Sequence, residues 1–222
     1  MNQKCIGVLA LQGAFIEHVH HLERCVDKYG LQFYNGVTIK IITVRTKEEL
    51  WQCDGLVIPG GESTAMSLIA QRTGFYDDLY KFVHNSQNSI WGTCAGLIFI
   101  SEILSNEKDL VKTLQLLHVK VKRNAFGRQA QSFTQECDFS SFIDGCVDFP
   151  ATFIRAPVIE EILDNDTVEI LFRLNKPDSP QDGLIVAVKQ NDNVLATSFH
   201  PELAEDDLRF HDYFIRHFIL KI

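Results

Sequence analysis

One cysteine lies in a sequence context that could make it a nucleophile. Cys94 is the centre of a Gly-x-Cys-x-Gly segment, residues 92–96, which follows the apolar run 89–91 and precedes a helix-compatible stretch. This pattern is typical of a nucleophile elbow, a strained turn at which side chains larger than those of Gly92 and Gly96 would collide with backbone. The positive end of the following helix favours the thiolate, the attacking form of cysteine. A buried structural cysteine in a glycine-bearing turn is the alternative.

A histidine and a carboxylate near the C-terminus could complete this chemistry. The predicted strand 194–199 ends in His200-Pro201-Glu202. A cysteine nucleophile needs a base that reaches the thiol and a third group that holds the imidazole in the useful tautomer. Pro201 stiffens the link between base and carboxylate. By itself the tripeptide is typical of an ordinary turn, but together with the elbow it predicts a catalytic triad of Cys94, His200 and Glu202.

A third segment, residues 59–64 (PGGEST), follows another apolar strand. Paired glycines expose backbone N–H groups, so the amide of Gly61, together with that of Ala95, could stabilise the oxyanion that forms when Cys94 attacks a carbonyl. A phosphate-binding loop is not supported, because neither G-x-x-x-x-G-K-[ST] nor G-x-G-x-x-G occurs in the segment. A helix cap by Ser63 is the simpler alternative.

These segments need a fold that brings distant strand ends together. In the first half of the chain, short β-branched runs that end in Gly- or Pro-bearing turns alternate with helix-like stretches. The alternation predicts an α/β fold, a three-layer sandwich in which a mainly parallel central sheet carries helices on both faces. The predicted strands are 5–10, 38–44, 55–58 and 89–91, and the predicted helices are 14–29, 49–53 and 64–73.

The second half of the chain is richer in strands and ends in a helix. Segments 29–36 and 175–183 are predicted to be surface loops from their turn-forming residues. An apolar stripe predicts a final helix over about residues 206–220. The predicted strands are 116–121, 151–154, 167–172, 184–190 and 194–199, of which the last two flank a hairpin-like turn at 191–193.

Composition narrows the class of protein. A length of 222 residues predicts one domain, 1–222. The net charge of -8, without a Lys/Arg-rich run, gives no support for nucleic-acid binding. The sequence has no apolar stretch near the roughly 20 residues that span a bilayer, so no membrane association is predicted. The six cysteines form no CxxC pair, so we predict neither a zinc site nor a disulfide framework, and a cytoplasmic location suits them.

Three side chains on the first predicted helix could together bind a metal ion. His18, His21 and Cys25 lie at positions i, i+3 and i+7, on one helix face. The sequence has no fourth ligand spaced to join them. We therefore favour a solvated or partner-facing helix over a metal site.

The three chemical segments together resemble the class I glutamine amidotransferases, with Cys94, His200 and Glu202 at the positions of that family's triad. Further segments narrow the resemblance to the glutaminase subunits of pyridoxal 5′-phosphate synthase, the PdxT/SNO family. The matching segments are 7–13 (GVLALQG), 59–64 (PGGEST), 92–96 (GTCAG), 123–129 (RNAFGRQ), 153–157 (FIRAP) and 198–202 (SFHPE). They run from residue 7 to residue 202, so the resemblance covers nearly the whole chain.

The resemblance implies a glutaminase that converts L-glutamine to L-glutamate and ammonia, with an oxyanion hole at Gly61 and Ala95 and without a metal or organic cofactor. The fold that it implies is flavodoxin-like. An amino acid carries an ammonium and a carboxylate, and an acid such as Glu62 with cations or amide donors suits the two ends. The glutamine site implied by the resemblance consists of Gly61, Glu62, Ser63, Arg123, Ile154 and Arg155.

The resemblance also implies a protein partner. The sequence has no evident site for a phosphorylated sugar, so the ammonia must be used elsewhere. The implied partner is a (β/α)₈ synthase subunit, which would receive the ammonia inside a hetero-oligomer and make pyridoxal 5′-phosphate.

Other functions remain open at this point. The chain could serve another amidotransferase, such as one for imidazole glycerol phosphate synthesis, or it could be a γ-glutamyl hydrolase. It could also be a noncatalytic regulator on a related fold, with a redox-sensing cysteine at the elbow. The intact His200-Pro201-Glu202 segment speaks against the regulator.

Overall fold

The computed structural model describes residues 3–106, 108–126 and 132–222. Its strands are β1 (Gln3–Leu9), β2 (Thr38–Val44), β3 (Gly55–Ile58), β4 (Ser89–Thr93), β5 (Ser101–Leu104), β6 (Leu117–Lys122), β7 (Ser132–Cys137), β8 (Phe149–Ile154), β9 (Val158–Ile162), β10 (Val168–Arg173), β11 (Ile185–Gln190) and β12 (Val194–Thr197). Its helices are α1 (Phe15–Phe33), α2 (Lys47–Leu50), α3 (Ser63–Arg72), α4 (Tyr76–Val83), α5 (Ala95–Ile100) and α6 (Arg209–Tyr213), and α6 continues as a π-helical stretch, Phe214–Leu220. Short 3₁₀ turns occupy Lys108–Leu110 and Pro201–Leu203.

The main sheet has a parallel half and an antiparallel half. Strands β2, β1, β3, β4 and β12 lie side by side in that order, and every pair among them is parallel. Beyond β12 the order continues through β11, β9, β6 and β5, with antiparallel pairs until β5 joins β6 in parallel. Strand β10 pairs with β11, and β7 and β8 form a separate two-stranded sheet. The predicted α/β fold with a mainly parallel central sheet is confirmed, whereas the single-domain organisation stays a prediction.

Two hydrophobic cores cover the two faces of the sheet, as buried parallel strands require. In β3, Leu56 and Ile58 face one core and Val57 faces the other, because successive side chains of a strand point to opposite faces. Helices α3, α4 and α5 pack on the first face. Helix α1 and the C-terminal helix pack on the second. This arrangement confirms the three predicted layers.

The segment 29–36, predicted to be a loop, is largely helical. Helix α1 runs to Phe33, and the next side chain, Tyr34, is fully buried and donates a hydrogen bond of 2.8 Å from its hydroxyl to Asp212. The helix ends where Asn35 and Gly36 adopt left-handed backbone conformations, with φ of 50° and 70°. The loop prediction was wrong because the burial of Tyr34 outweighs the weak helix propensity of the glycine within the last turn.

Several other elements differ from their predicted bounds. Helix α2 begins at Lys47, two residues before the predicted start, because Thr46 and Glu49 form a reciprocal capping box. The last helix begins at Arg209 rather than near Asp206. Segment 175–183 contains neither helix nor strand, as predicted. The elements that were not predicted are α4, β5, β7 and β9.

Candidate active site

Three strand ends meet at one edge of the parallel half. Thr93 of β4 is paired with Thr197 of β12, and Gly92 is paired with Ile58 of β3. The chain leaves all three strands at their C-terminal ends, which is where open α/β sheets bind their ligands. Cys94 directly follows β4, and its N–H donates to the carbonyl of Thr197 at 2.8 Å. The elbow, the His-Pro-Glu segment and the double-glycine turn therefore lie next to one another at this edge of the sheet.

The elbow has the strained geometry that its sequence predicts. Cys94 has φ of 47° and ψ of -102°, a sparsely populated conformation for a residue with a side chain, and α5 begins at the next residue, Ala95. A Cβ atom at Gly92 would lie 2.8 Å from the backbone of Gly96, and one at Gly96 would overlap the carbonyl oxygen of Ile58. Both glycines are therefore required by close backbone approach. Cys94 itself is 6% exposed.

The three residues of the predicted triad are in contact. The Cys94 thiol lies close enough to the His200 imidazole to raise the pKa of that ring. On the other side of the ring, Nδ1 of His200 lies 2.7 Å from Oε1 of Glu202. The side chain of His200 is 9% exposed, and that of Glu202 is fully buried. This order of thiol, imidazole and carboxylate is the one that nucleophilic catalysis needs.

The electrostatics of the triad favour a charged imidazole. Burial alone lowers the pKa of His200, but its hydrogen bonds to Cys94 and Glu202 and their charges outweigh burial and raise the pKa to about 10. Burial alone would raise the pKa of Glu202, but His18 and then His200 hold it well below its usual value. At neutral pH Glu202 is therefore ionised and His200 carries a proton that it can donate to a leaving group.

The double-glycine turn packs directly against the base. A Cβ atom at Gly60 would overlap Cε1 of His200 and lie 2.7 Å from its Nδ1. Gly61 has φ of 154°, and the side chain of Gln12 packs so closely on it that an added Cβ would overlap Oε1. The same Gln12 oxygen accepts a hydrogen bond of 2.8 Å from the N–H of Glu62. Ala95, the second predicted donor, is the first residue of α5, where backbone amides have no intrahelical acceptor.

Glu62 and Arg123 come together beside this turn. The carboxylate of Glu62 caps α3 by accepting hydrogen bonds from the N–H groups of Thr64 at 2.9 Å and Ala65 at 2.6 Å. Arg123 approaches the same carboxylate at 3.5 Å and the Thr64 hydroxyl at 3.2 Å. Burial raises the pKa of Glu62, but these amides, Thr64 and Arg123 together lower it. The cap on α3 is therefore made by Glu62 and not by Ser63, which is the first helical residue and is buried.

The remaining predicted substrate residues lie on the other side of the nucleophile. Ile154 ends β8, and its carbonyl oxygen is 3.9 Å from the Cys94 sulfur. Arg155 follows with an exposed side chain and a left-handed backbone, φ 43°. Residues 127–129 of the segment 123–129 lie outside the described residues.

The histidines of α1 are not solvated. His18 and Cys25 are fully buried and His21 is 5% exposed, and the face that they form packs against the turn after β12 and against α6. The favoured interpretation, a solvated or partner-facing helix, is wrong, because α1 lies on the sheet with this face inward. The described part of the chain contains no cluster of three or more His, Cys, Asp or Glu side chains arranged to hold a metal ion.

His18 is a residue at the site that was not predicted from the sequence. Its Nε2 lies 3.2 Å from Oε2 of Glu202. A signal was present, because His18 is three residues after Phe15 and four before Leu22, which places it on the apolar stripe of the helix. A histidine on a buried stripe needs a polar partner.

No helix within 3–106, 108–126 or 132–222 is both long enough and apolar enough to cross a membrane.

Comparison with known proteins gives concordant matches along the chain. The family model described as the SNO glutamine amidotransferase family matches residues 8–220. A protein of Saccharomyces cerevisiae named probable pyridoxal 5′-phosphate synthase subunit SNO3 is 67% identical over 216 residues, which are 97% of this chain and 96% of that protein. The pyridoxal 5′-phosphate synthase subunit PdxT of Dehalococcoides mccartyi is 43% identical over 95% of each chain. A crystal structure of a glutamine amidotransferase superimposes with a TM-score of 0.75 at 38% identity and covers 95% of this chain and 96% of its own.

Proposed function

Because the chain belongs to the SNO glutamine amidotransferase family, we propose that Cys94, His200 and Glu202 hydrolyse L-glutamine to L-glutamate and ammonia. The activity is that of the glutaminase component of pyridoxal 5′-phosphate synthase, which uses the ammonia to make pyridoxal 5′-phosphate. One observation carries the assignment of residues. Cys94, on a turn with φ of 47°, interacts with an imidazole whose Nδ1 is 2.7 Å from a buried carboxylate.

The reaction proceeds through a thioester. The Cys94 sulfur attacks the side-chain carboxamide carbon of glutamine, and the thiol proton resides on His200. The negative oxygen of the tetrahedral intermediate accepts hydrogen bonds from the amides of Gly61 and Ala95. His200 gives its proton to the nitrogen, ammonia departs, and the acyl group stays on sulfur. His200 then takes a proton from water, the resulting hydroxyl attacks the thioester, and glutamate leaves with regeneration of the thiol.

Glutamine is held from both sides of the nucleophile. Gly61, Glu62, Ser63 and Arg123 form one wall, and the backbone of Ile154 with Arg155 forms the other. Support comes from the approach of Arg123 to Glu62 and Thr64 and from the 3.9 Å contact between the Cys94 sulfur and the Ile154 oxygen. A free amino acid has one charge of each sign, and this set of side chains offers both an acid and cations.

The ammonia passes to a synthase subunit with a (β/α)₈ barrel, with which this chain forms a hetero-oligomer. The names of the yeast and bacterial relatives, which call those proteins subunits of pyridoxal 5′-phosphate synthase, support such a partner. We place the complex in the cytosol, a location supported by the six free cysteines.

The test is co-purification with a pyridoxal 5′-phosphate synthase subunit, followed by measurement of glutamate release with and without it. We expect the complex to release glutamate and Cys94→Ala to abolish the release. Cys137→Ala removes another buried thiol, on β7 and away from the elbow, and should keep the activity. Full turnover by Cys94→Ala would overturn the assignment of the nucleophile. Labelling of Cys94 by a glutamine-like electrophile, with protection by glutamine, checks that the same sulfur meets the substrate.

A further inference from the structure

The carboxylate of the triad has two oxygens, and only one of them faces the base. Oε1 of Glu202 lies 2.7 Å from His200, while Oε2 lies 3.2 Å from Nε2 of His18 on α1. The side chains of His18 and Glu202 are both fully buried. A charged oxygen without water needs a donor, so the second oxygen depends on what α1 presents to it.

His18 is held in place by contacts on each side of its ring. Its Nε2 is also 3.3 Å from the hydroxyl of Thr93, the residue before Cys94. Its Nδ1 is 2.9 Å from Nε2 of His211 on α6. The ring meets Trp91 of β4 edge-on, with centroids 5.6 Å apart. His18 therefore contacts the strand of the nucleophile, the carboxylate of the triad and the C-terminal helix at once.

The bonding pattern determines where the proton of His18 lies. Burial, followed by the charges of His18 and His21, holds the pKa of His211 well below its usual value, so that ring is neutral. If Nδ1 were the only protonated nitrogen of His18, Nε2 would direct a lone pair at the Glu202 carboxylate, which is repulsive. Nε2 of His18 therefore carries a proton. In a neutral His18 ring, Nδ1 accepts a hydrogen bond from Nε2 of His211. If His18 carried a second proton, Nδ1 would donate to Nε2 of His211 instead.

The contact between His18 and Glu202 is electrostatic rather than a well-formed hydrogen bond. The separation is within ion-pair range, but Oε2 has no partner in the described parts of the chain that meets hydrogen-bond geometry. The titratable groups that face this carboxylate are His200 on the substrate side, His18 on α1 and His211 on α6. Because His211 is neutral, His18 is the charged or donor group that faces Oε2, the inner oxygen of Glu202.

We propose that His18 is a positioning residue for glutamine hydrolysis, holding the inner oxygen of Glu202 so that the outer oxygen stays aligned on Nδ1 of His200. This inference rests on the proposed triad, because His18 acts through Glu202 and does not touch the reacting atoms. With the carboxylate fixed, the imidazole keeps its orientation towards Cys94. Without His18, the carboxylate could rotate away from the base or take up a proton.

The test compares substitutions that replace one ring nitrogen at a time, in the complex with the synthase subunit. The amide nitrogen of His18→Gln reproduces Nε2 and can still serve Glu202, whereas that of His18→Asn reproduces Nδ1 and serves only His211. We expect His18→Asn and His18→Leu to lower kcat about tenfold or more with KM for glutamine within about twofold. His18→Gln should restore most of kcat. Equal kcat values for the Gln and Asn variants would overturn the proposal, even if His18→Leu fails to fold.

The pH profile separates positioning from a purely structural role. Loss of His18 removes a group that lowers the pKa of Glu202. The acid limb of kcat/KM should therefore move to higher pH in His18→Asn, and by a smaller amount in His18→Gln, whose amide restores the donor but not the charge. An unmoved limb in His18→Asn would count against the proposal.

A neighbouring histidine on the same helix provides the control. His21 is also buried but bonds the backbone carbonyls of Glu17 at 3.0 Å and Ala204 at 3.1 Å. His21→Gln should leave kcat and the acid limb unchanged. Cys94→Ala tests the proposed triad separately from the role of His18. Retained glutamate release in that variant would overturn the proposed function itself. Loss of activity in Cys94→Ala, together with wild-type behaviour of His18→Asn, overturns only the role of His18.

Discussion

The parallel half of the sheet and the antiparallel half contribute to the site in different ways. In the parallel half, Cys94, His200 and Gly60 come one to three residues after the ends of β4, β12 and β3, whose pairing brings these ends together. In the antiparallel half, Arg123 follows β6 and precedes a residue with a left-handed backbone, Asn124, φ 52°. Parallel strands deliver all their C-terminal ends to one edge, whereas only every second strand of an antiparallel sheet ends there.

This difference separates rate from binding. The parallel half carries the groups that form and break bonds, so changes to the triad and to Gly60 should act on kcat, although Glu62 and Ser63 of the proposed glutamine site also follow β3. The antiparallel half and the small sheet carry Arg123 and Arg155, so changes there should act on KM. Substitutions in each half, paired with controls elsewhere in the chain, test that division.

Removal of the base should have the greatest consequence. We expect His200→Ala to lower kcat for glutamate release by at least roughly ten-thousand-fold, because loss of one member of a catalytic triad costs on the order of 10⁴- to 10⁶-fold. His118→Ala, on β6 of the antiparallel half, removes a half-exposed histidine that pairs with Glu102 at 2.6 Å and should leave kcat unchanged. Steady-state kinetics of the two complexes make the measurement. Comparable losses in both would contradict a division between the halves.

The charged base should also make stability depend on pH. Because the pKa of His200 is raised to about 10, its interactions with Cys94 and Glu202 stabilise the fold fully below pH 6.5 and are lost as the pH rises through 10. We expect the free energy of unfolding in urea to fall by on the order of a few kcal/mol across that range. His200→Gln should flatten this part of the profile. Parallel profiles for the two proteins would show that the base is not stabilised in its charged form.

The glycine turn should be the next most sensitive feature of the parallel half. Gly60→Ala places a methyl group against the His200 ring, which must shift. A misplacement of about 1 Å lowers the rate roughly a hundredfold, so kcat should fall by that order with the fold retained. Circular dichroism and kinetics together make the test.

Gly30→Ala is the matched control for this substitution. In α1 its nearest neighbours would be 3.8 and 3.9 Å away, so the change should leave kcat unaltered. It should raise the free energy of unfolding by about 0.5 to 1 kcal/mol, because alanine is the better helix former.

The antiparallel half should show the smallest and most selective effect. Arg123→Gln removes the guanidinium beside Glu62 and Thr64, and we expect KM for glutamine to rise about tenfold with a smaller change in kcat. Arg173→Gln, on β10, removes an exposed guanidinium that donates to the Gly183 carbonyl at 3.1 Å and should change neither constant. If Arg123→Gln lowered kcat and left KM alone, the assignment of substrate binding to this half would be wrong.

Local sequence signals predicted the chemical segments and most of the first half of the fold. Strands β2 and β3 have the predicted bounds, because β-branched runs closed by turns specify them within a few residues. Helix α4 (YDDLYKFV) was missed although it buries one face against the sheet. Strand β5 was missed because it follows α5 directly, without a turn residue between them. Strands β7 and β9 depend on partners in other parts of the chain.

The sequence by itself determined what acts over a few residues: the glycines that allow the elbow, the stiff link from His200 through Pro201 to Glu202, and the alternation that predicts a parallel sheet. Only the tertiary structure decided that the buried face of α1 sets His18 against Glu202, far away along the chain. The physical reason is the distance along the chain over which each kind of interaction acts. Steric and capping preferences are settled by adjacent residues, whereas a buried polar contact exists only after the packing of whole elements on the sheet has removed water from both partners.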